Sequence, residues 1–227
     1  MNYDMKINIK KTKVMRVSRA GGGALRIMIG GQQVEQVKHF MYLGTWTSEN
    51  GSCEREIRAR IGMGKEAFRR HKALLTTKLS RIVKKRIIKT VVWTVALYGA
   101  ECWTLKKADV SKLNAFEMWL WRRMERISWT EKKTNEEVLR SIGEKRNLVE
   151  TIIRRKKNWM GHIMRGGGVM KTVVEGRMEG KRPRGRKRKG MLDELLEEHT
   201  YNEIKRMAED REKWKKWMPR TCLLAEH

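Results

Sequence analysis

Between residues 5 and 43 apolar and polar positions alternate in short runs, the two-residue period of β-strands. "MKINI" alternates, and "TKVMRV" continues in β-prone residues. "ALRIMIGGQQVEQV" sets Gly30-Gly31 between two apolar stretches, a hairpin signal. Gly21, Gly22 and Gly23 read as a loop, and "VKHFMYLG" as one more strand. The pattern predicts a small antiparallel sheet.

After Gly51 the period becomes helical. Ser52 is a candidate N-cap, with Glu54 and Glu56 in a first turn whose dipole favours negative charge. That helix is predicted to reach about Thr76. Ser80 is placed to cap the next one. Its Ile88, Val91, Val92, Val95 and Ala96 recur at helical spacing and mark a buried face, and Gly99 ends it. Asp109 is expected to cap a third helix carrying Leu113, Phe116, Leu120, Met124 and Ile127. Thr134 with Glu137, and Thr200 with Glu203, have capping-box spacing. Between them Val149, Ile152, Ile153, Lys156, Met160 and Ile163 form one stripe, interrupted only by Lys156, whose stem is expected to snorkel. Residues 165–190 are Gly-rich and basic and read as a flexible linker. The predicted organisation is a β segment over 1–50, a helical region over 51–164, the linker over 165–190 and C-terminal helices over 191–227. The fold class is α+β.

Charge changes the picture. Of 227 residues, 53 are Lys or Arg against 26 Asp or Glu, a net charge of +27. Self-repulsion on that scale works against compactness, so it implies a polyanionic partner: DNA, RNA or an anionic membrane surface. Yet 40% of residues are apolar and nine are Trp, which implies a folded core beneath a basic skin. Residues 51–146 hold 24 basic and 11 acidic side chains, and 147–190 hold 14 and 3. The densest run has seven cations in nine residues: Lys181, Arg182, Arg184, Arg186, Lys187, Arg188 and Lys189. Arg154, Arg155, Lys156 and Lys157 form a second basic quartet. Both are candidate nucleic-acid contacts.

Cys53, Cys102 and Cys222 are far apart and include no C-x-x-C pair, so reduced thiols are expected. The N-terminus has no apolar signal region, and the run "IIKTVVWTVALYG" contains Lys89 and is too short to span a bilayer. A nuclear or cytoplasmic chain, not a secreted one, is expected. Asp4, Asp109, Asp193 and Asp210 are scattered, and no phosphate loop, H-E-x-x-H or G-x-S-x-G occurs. His162 reads first as a packed or capping imidazole and second as a ligand or acid–base group. Trp93, Trp119 and Trp121 read as core or interface anchors. Phe40 and Tyr42 alternate with Met41 and Leu43, so one pair reads as core. No self-contained active site is visible.

"MKINIKKTKVM", "VKHFMYLGTWTSENGSCEREIRARI", "VALYGAECWTL", "FEMWLWRRMERISW", "TNEEVL" and "RRKKNWMGHIMR" follow one another in this order. Together they resemble the C-terminal part of reverse transcriptases from LINE-type (non-LTR) retrotransposons, of the endonuclease–reverse transcriptase kind. The resemblance covers nearly the whole chain. It implies that Asn8, Lys11 and Thr12 match the palm motif in which a lysine approaches the nucleotide phosphates. It implies that Phe40, Tyr42, Leu43 and Gly44 match the primer-grip strand, and that Lys11 and Tyr42 share one sheet facing a cleft. The helices from about Ser52 would form the thumb and the region beyond. The family's catalytic aspartate pair lies upstream of the segment that "INIKKTK" resembles. This sequence carries neither that pair nor a Cys/His knuckle. Two-metal phosphoryl transfer needs carboxylates to hold the ions. The chain alone is therefore expected to be inactive and without a cofactor, Mg²⁺ belonging to the full-length family. The expected partners are DNA or RNA as a primer–template duplex, the upstream reverse transcriptase region if the chain is truncated, and no membrane.

"KRPRGRKRK" also resembles an AT-hook, with Lys187 where the final proline would stand. Three readings of the run stay open: a nonspecific phosphate clamp, minor-groove binding and a nuclear-import signal. Two alternatives for the whole chain also stand. One is a freestanding element-derived DNA- or RNA-binding protein. The other is a basic peripheral-membrane or scaffold protein.

Overall fold

The computed structural model describes residues 7–17, 23–176, 185, 187 and 189–220. The fold is α+β, with short β-ladders first and helices after. The chain divides into two units at Glu56–Ile57.

The first unit carries β1 (Lys13–Val14), β2 (Met28–Ile29), β3 (Gln32–Gln33), β4 (Glu35–Gln36), β5 (His39–Tyr42) and β6 (Thr45–Ser48). They do not form the single antiparallel sheet that the alternation predicts. β2–β3 and β5–β6 are antiparallel hairpins, whereas β1 pairs with β4 in parallel. Each hairpin closes on its own two-residue turn. Gly30 and Gly31 have φ of 55° and 77°, and Leu43 and Gly44 have 48° and 77°. Positive φ at both central residues matches the right-handed twist of the flanking strands, so both ladders close locally. Val34 is the one fully buried apolar side chain described in this unit.

The helices begin with α1 (Glu54–Arg70), whose first turn holds the division between units, and α2 (Lys72–Leu75). α3 (Arg81–Ile87) runs through a π-helical turn at Ile88–Val92 into α4 (Trp93–Ala96). Then come α5 (Lys107–Met124), α6 (Asn135–Ile142), α7 (Leu148–Arg165), α8 (Val169–Glu175), α9 (Tyr201–Glu209) and α10 (Arg211–Lys216). α8 lies inside the stretch predicted as a linker.

Local chemistry explains several boundaries. Ser80 Oγ accepts from the Val83 amide at the start of α3. Thr134 and Glu137 exchange bonds of 2.7 and 3.2 Å, and Thr200 and Glu203 repeat the box. Asp109 stands at the third position of α5 rather than at its N-cap, and caps from there by accepting from the Lys106 amide at 3.3 Å. The core of the second unit is Leu113, Phe116, Leu120 and Trp121 of α5 against Ile152, Ile153 and Met160 of α7, with Ile88, Val92 and Trp93 beside them. α1 approaches so closely that a Cβ on Gly64 would lie 2.7 Å from Phe116 and 2.9 Å from Ala96.

Candidate nucleic-acid interface

The basic quartet of α7 is mostly turned inward, which corrects its reading as a phosphate contact. Lys156 is wholly buried. Its ammonium pairs with Glu194 and donates to the carbonyls of Trp103 and Met191. It does not snorkel, because Glu194 comes to it. Lys157 is buried too and donates to the Trp217 and Lys215 carbonyls at 2.6 and 3.3 Å, closing the C-terminal end of α10. Burial, with Arg154 nearby, holds its ammonium below the usual lysine range. Arg155 donates to the Leu97 carbonyl beyond α4. Only Arg154 of the four is exposed. Arg155 and Lys157 thus satisfy carbonyls at the C-terminal ends of α4 and α10.

In the first unit, Asn8, Lys11 and Thr12 lie in a turn rather than on a strand. The Lys11 amide donates to Asn8 Oδ1 at 3.2 Å, and the Thr12 hydroxyl to the Asn8 carbonyl at 2.9 Å. The Lys11 side chain is exposed. Phe40 is half-buried on β5, while Tyr42 and Leu43 are 64% and 77% exposed at the hairpin tip with Gly44. Neither alternating pair is core, since Met41 is exposed as well. Lys11 and Tyr42 therefore do not share a sheet: one is in a turn, the other on a separate ladder. Of the 181–189 run, Lys181, Arg182, Arg184, Arg186 and Arg188 lie outside the described residues; Lys187 and Lys189 are exposed. His162 is exposed on α7.

The structure brings other cations together. A groove of about 1930 Å³ opens within the second unit, and nine of its lining residues are Lys or Arg. α1 contributes Lys65 and Arg69, and α2 contributes Lys72. The end of α5 contributes Arg122 and Arg123, with Arg126 just beyond. Lys132 and Lys133 come from the approach to α6, and Arg146 from the approach to α7. None of the lining residues bears a carboxylate.

The cations divide by their partners. Arg122 donates to the Lys133 carbonyl at 2.7 Å and to Asn135, and Arg126 donates to the Thr76 carbonyl. These bonds hold the walls. Arg69, Lys133 and Arg146 have exposed carboxylate neighbours in Glu66, Glu131 and Glu136. Such surface pairs are weak, about 0–1 kcal/mol, and can exchange for another anion. Lys65 and Arg123 lie over the Trp119 ring, 5.4 and 5.5 Å from its centroid. Unlike the buried Trp93 and Trp121, Trp119 is only partly covered and lines the groove. A concentrated positive field with an aromatic face suits a nucleic acid: phosphates release counterions on meeting the cations, and a base has a face to stack.

The cations of "FEMWLWRRMERISW" were not among those expected to contact nucleic acid. The available signal was periodicity, since Trp119, Arg122, Arg123 and Arg126 recur at spacings of three and four on one face of a helix. The parts from α1, α2 and the loop before α6 had no such signal.

No family model and no solved structure matches the chain. It is similar to a protein of Caenorhabditis elegans described as transposon-derived, at 25% identity over 168 residues. That span covers 71% of this chain and 60% of the worm protein, so the match takes in less than two thirds of that relative's length. The likeness points to a transposon origin for this chain.

Proposed function

We propose that the chain is a nucleic-acid-binding part of a LINE-type reverse transcriptase, and that the groove of its helical unit holds the primer–template. The observation that carries this reading is the groove itself: nine cations, no carboxylate in the lining and a partly open indole. The transposon likeness and the order of six sequence motifs support it. Phosphate recognition here is electrostatic and independent of base sequence. Polymerisation is assigned to the full-length family, not to this chain. No group of three or more His, Cys, Asp or Glu among the described residues is placed to hold a metal.

Lys72, Arg123 and Lys132 are suited to a test, because none of them makes a carboxylate pair among the described residues. Replacing all three with Gln removes phosphate contacts while leaving Arg122 and Arg126 to hold the walls. Each phosphate neutralised on a duplex contributes about 0.9 to the log–log salt slope. The triple variant should bind an RNA–DNA duplex more weakly, with a slope lower by about 2 to 3. Primer extension with Mg²⁺ or Mn²⁺ should match the no-protein control. Unchanged affinity and slope in the variant would remove the groove from the interface, and extension that tracks the protein would overturn the inactivity.

A further inference from the structure

We infer that Trp119 is a base-stacking platform, so that the groove takes the unpaired strand that a primer–template carries beyond its duplex; this rests on the nucleic-acid reading of the groove. Trp119 and Trp121 are two residues apart on α5 and point to different faces. Trp121 is fully buried, whereas Trp119 lines the groove beside Arg122 and Arg123, three and four residues on.

The indole is held in place from below. It is nearly parallel to Phe116, 14° between planes at a centroid distance of 6.5 Å, and it meets Phe68 edge-on at 5.3 Å. Phe116 and Phe68 are themselves buried. A ring set by two packed rings loses little freedom when a base lies on it, which is the advantage of preorganisation. The ammonium of Lys65 and the guanidinium of Arg123 lie within reach of that ring. A base on the indole would replace their contact with it and leave both cations free to meet its flanking phosphates. A paired base inside a duplex has both faces covered by its neighbours. Only an unpaired base, or one at a strand end, can use the indole.

Two ligands separate stacking from charge: a short oligo(dT) and an abasic strand of equal length, which carries the same phosphates and no bases. Wild-type protein should bind oligo(dT) more tightly by about 5- to 150-fold, with parallel salt dependence. Trp119→Leu should bring oligo(dT) to the abasic level and leave the salt slope unchanged. Equal affinity of the wild type for both strands overturns the inference, as does a gap that survives in Trp119→Leu. Photocrosslinking of wild-type protein to a strand bearing 5-iododeoxyuridine covers the case in which that variant does not fold. An adduct on Trp119 supports the platform, and adducts confined to other residues overturn it. The abasic strand keeps the two failures apart. A protein that binds neither strand nor duplex defeats the nucleic-acid reading, while one that binds both strands alike defeats only the stacking.

Discussion

Lys156 occupies a position on α7 that its neighbours Ile152, Ile153 and Met160 mark as core, and its charge is met by Glu194. Glu194 also accepts from the Leu105 amide at 2.8 Å, so a single carboxylate ties α7, the segment before α5 and the segment before α9 together. Desolvating two charges offsets most of their attraction, so the pair adds little net stability over an apolar replacement. Breaking it is another matter. Lys156→Met, which leaves Glu194 buried without its cation, should cost about 3–5 kcal/mol in urea unfolding, and adding Glu194→Leu should recover most of that loss. Equal stability of the single and double variants would show that Glu194 does not need its cation. The sequence showed a polar intruder in an apolar stripe, and a snorkelling stem was the local solution. The partner stands 38 residues further on. Nothing local in the sequence ties Lys156 to it.

Helix ends were legible because their chemistry is local. Ser80, Thr134 and Thr200 cap as their spacing predicts, since donor and acceptor lie within three residues. The π-helical turn at Ile88–Val92 was not legible. It widens the turn so that Val92 and Trp93 both face inward, a preference set by the core they enter and not by their own sequence. The start of α7 shows the same division. The amides of Asn147 and Leu148 donate to Glu117 of α5, 3.2 Å each, across about thirty residues. Burial pushes the Glu117 carboxyl up from the ordinary glutamate value, and these two bonds offset part of that rise. A carboxyl whose folded value exceeds its unfolded one binds its proton more tightly in the folded state. Its contribution to stability is fullest below the ordinary glutamate range and declines as pH rises through the raised folded value. Urea midpoints of wild type minus Glu117→Gln should therefore fall as pH rises from that range towards neutrality. A difference that is flat or rising with pH would show that burial does not govern this group.

For the whole molecule, net charge implies a polyanionic partner, but charge density along the chain does not locate the groove. Of the quartet 154–157, Arg155, Lys156 and Lys157 are bound to carbonyls or to Glu194. The groove draws instead on α1, α2, the end of α5 and two connecting segments, residues spread from Lys65 to Arg146. Only tertiary packing gathers them, so the sequence carries a local signal just for the part on α5, in the spacing of Trp119, Arg122, Arg123 and Arg126. The β segment was read correctly as strands and turns, but its pairing was not, because two-residue turns let each hairpin close without the others. We propose this groove, within the helical unit, as the nucleic-acid interface. Lysine acetylation footprinting read by mass spectrometry tests it most directly, on wild-type protein with and without a saturating RNA–DNA primer–template. Protection of Lys65, Lys72, Lys132 and Lys133 is expected. Full reactivity of those four, with protection confined to Lys181, Lys187 and Lys189, would contradict it.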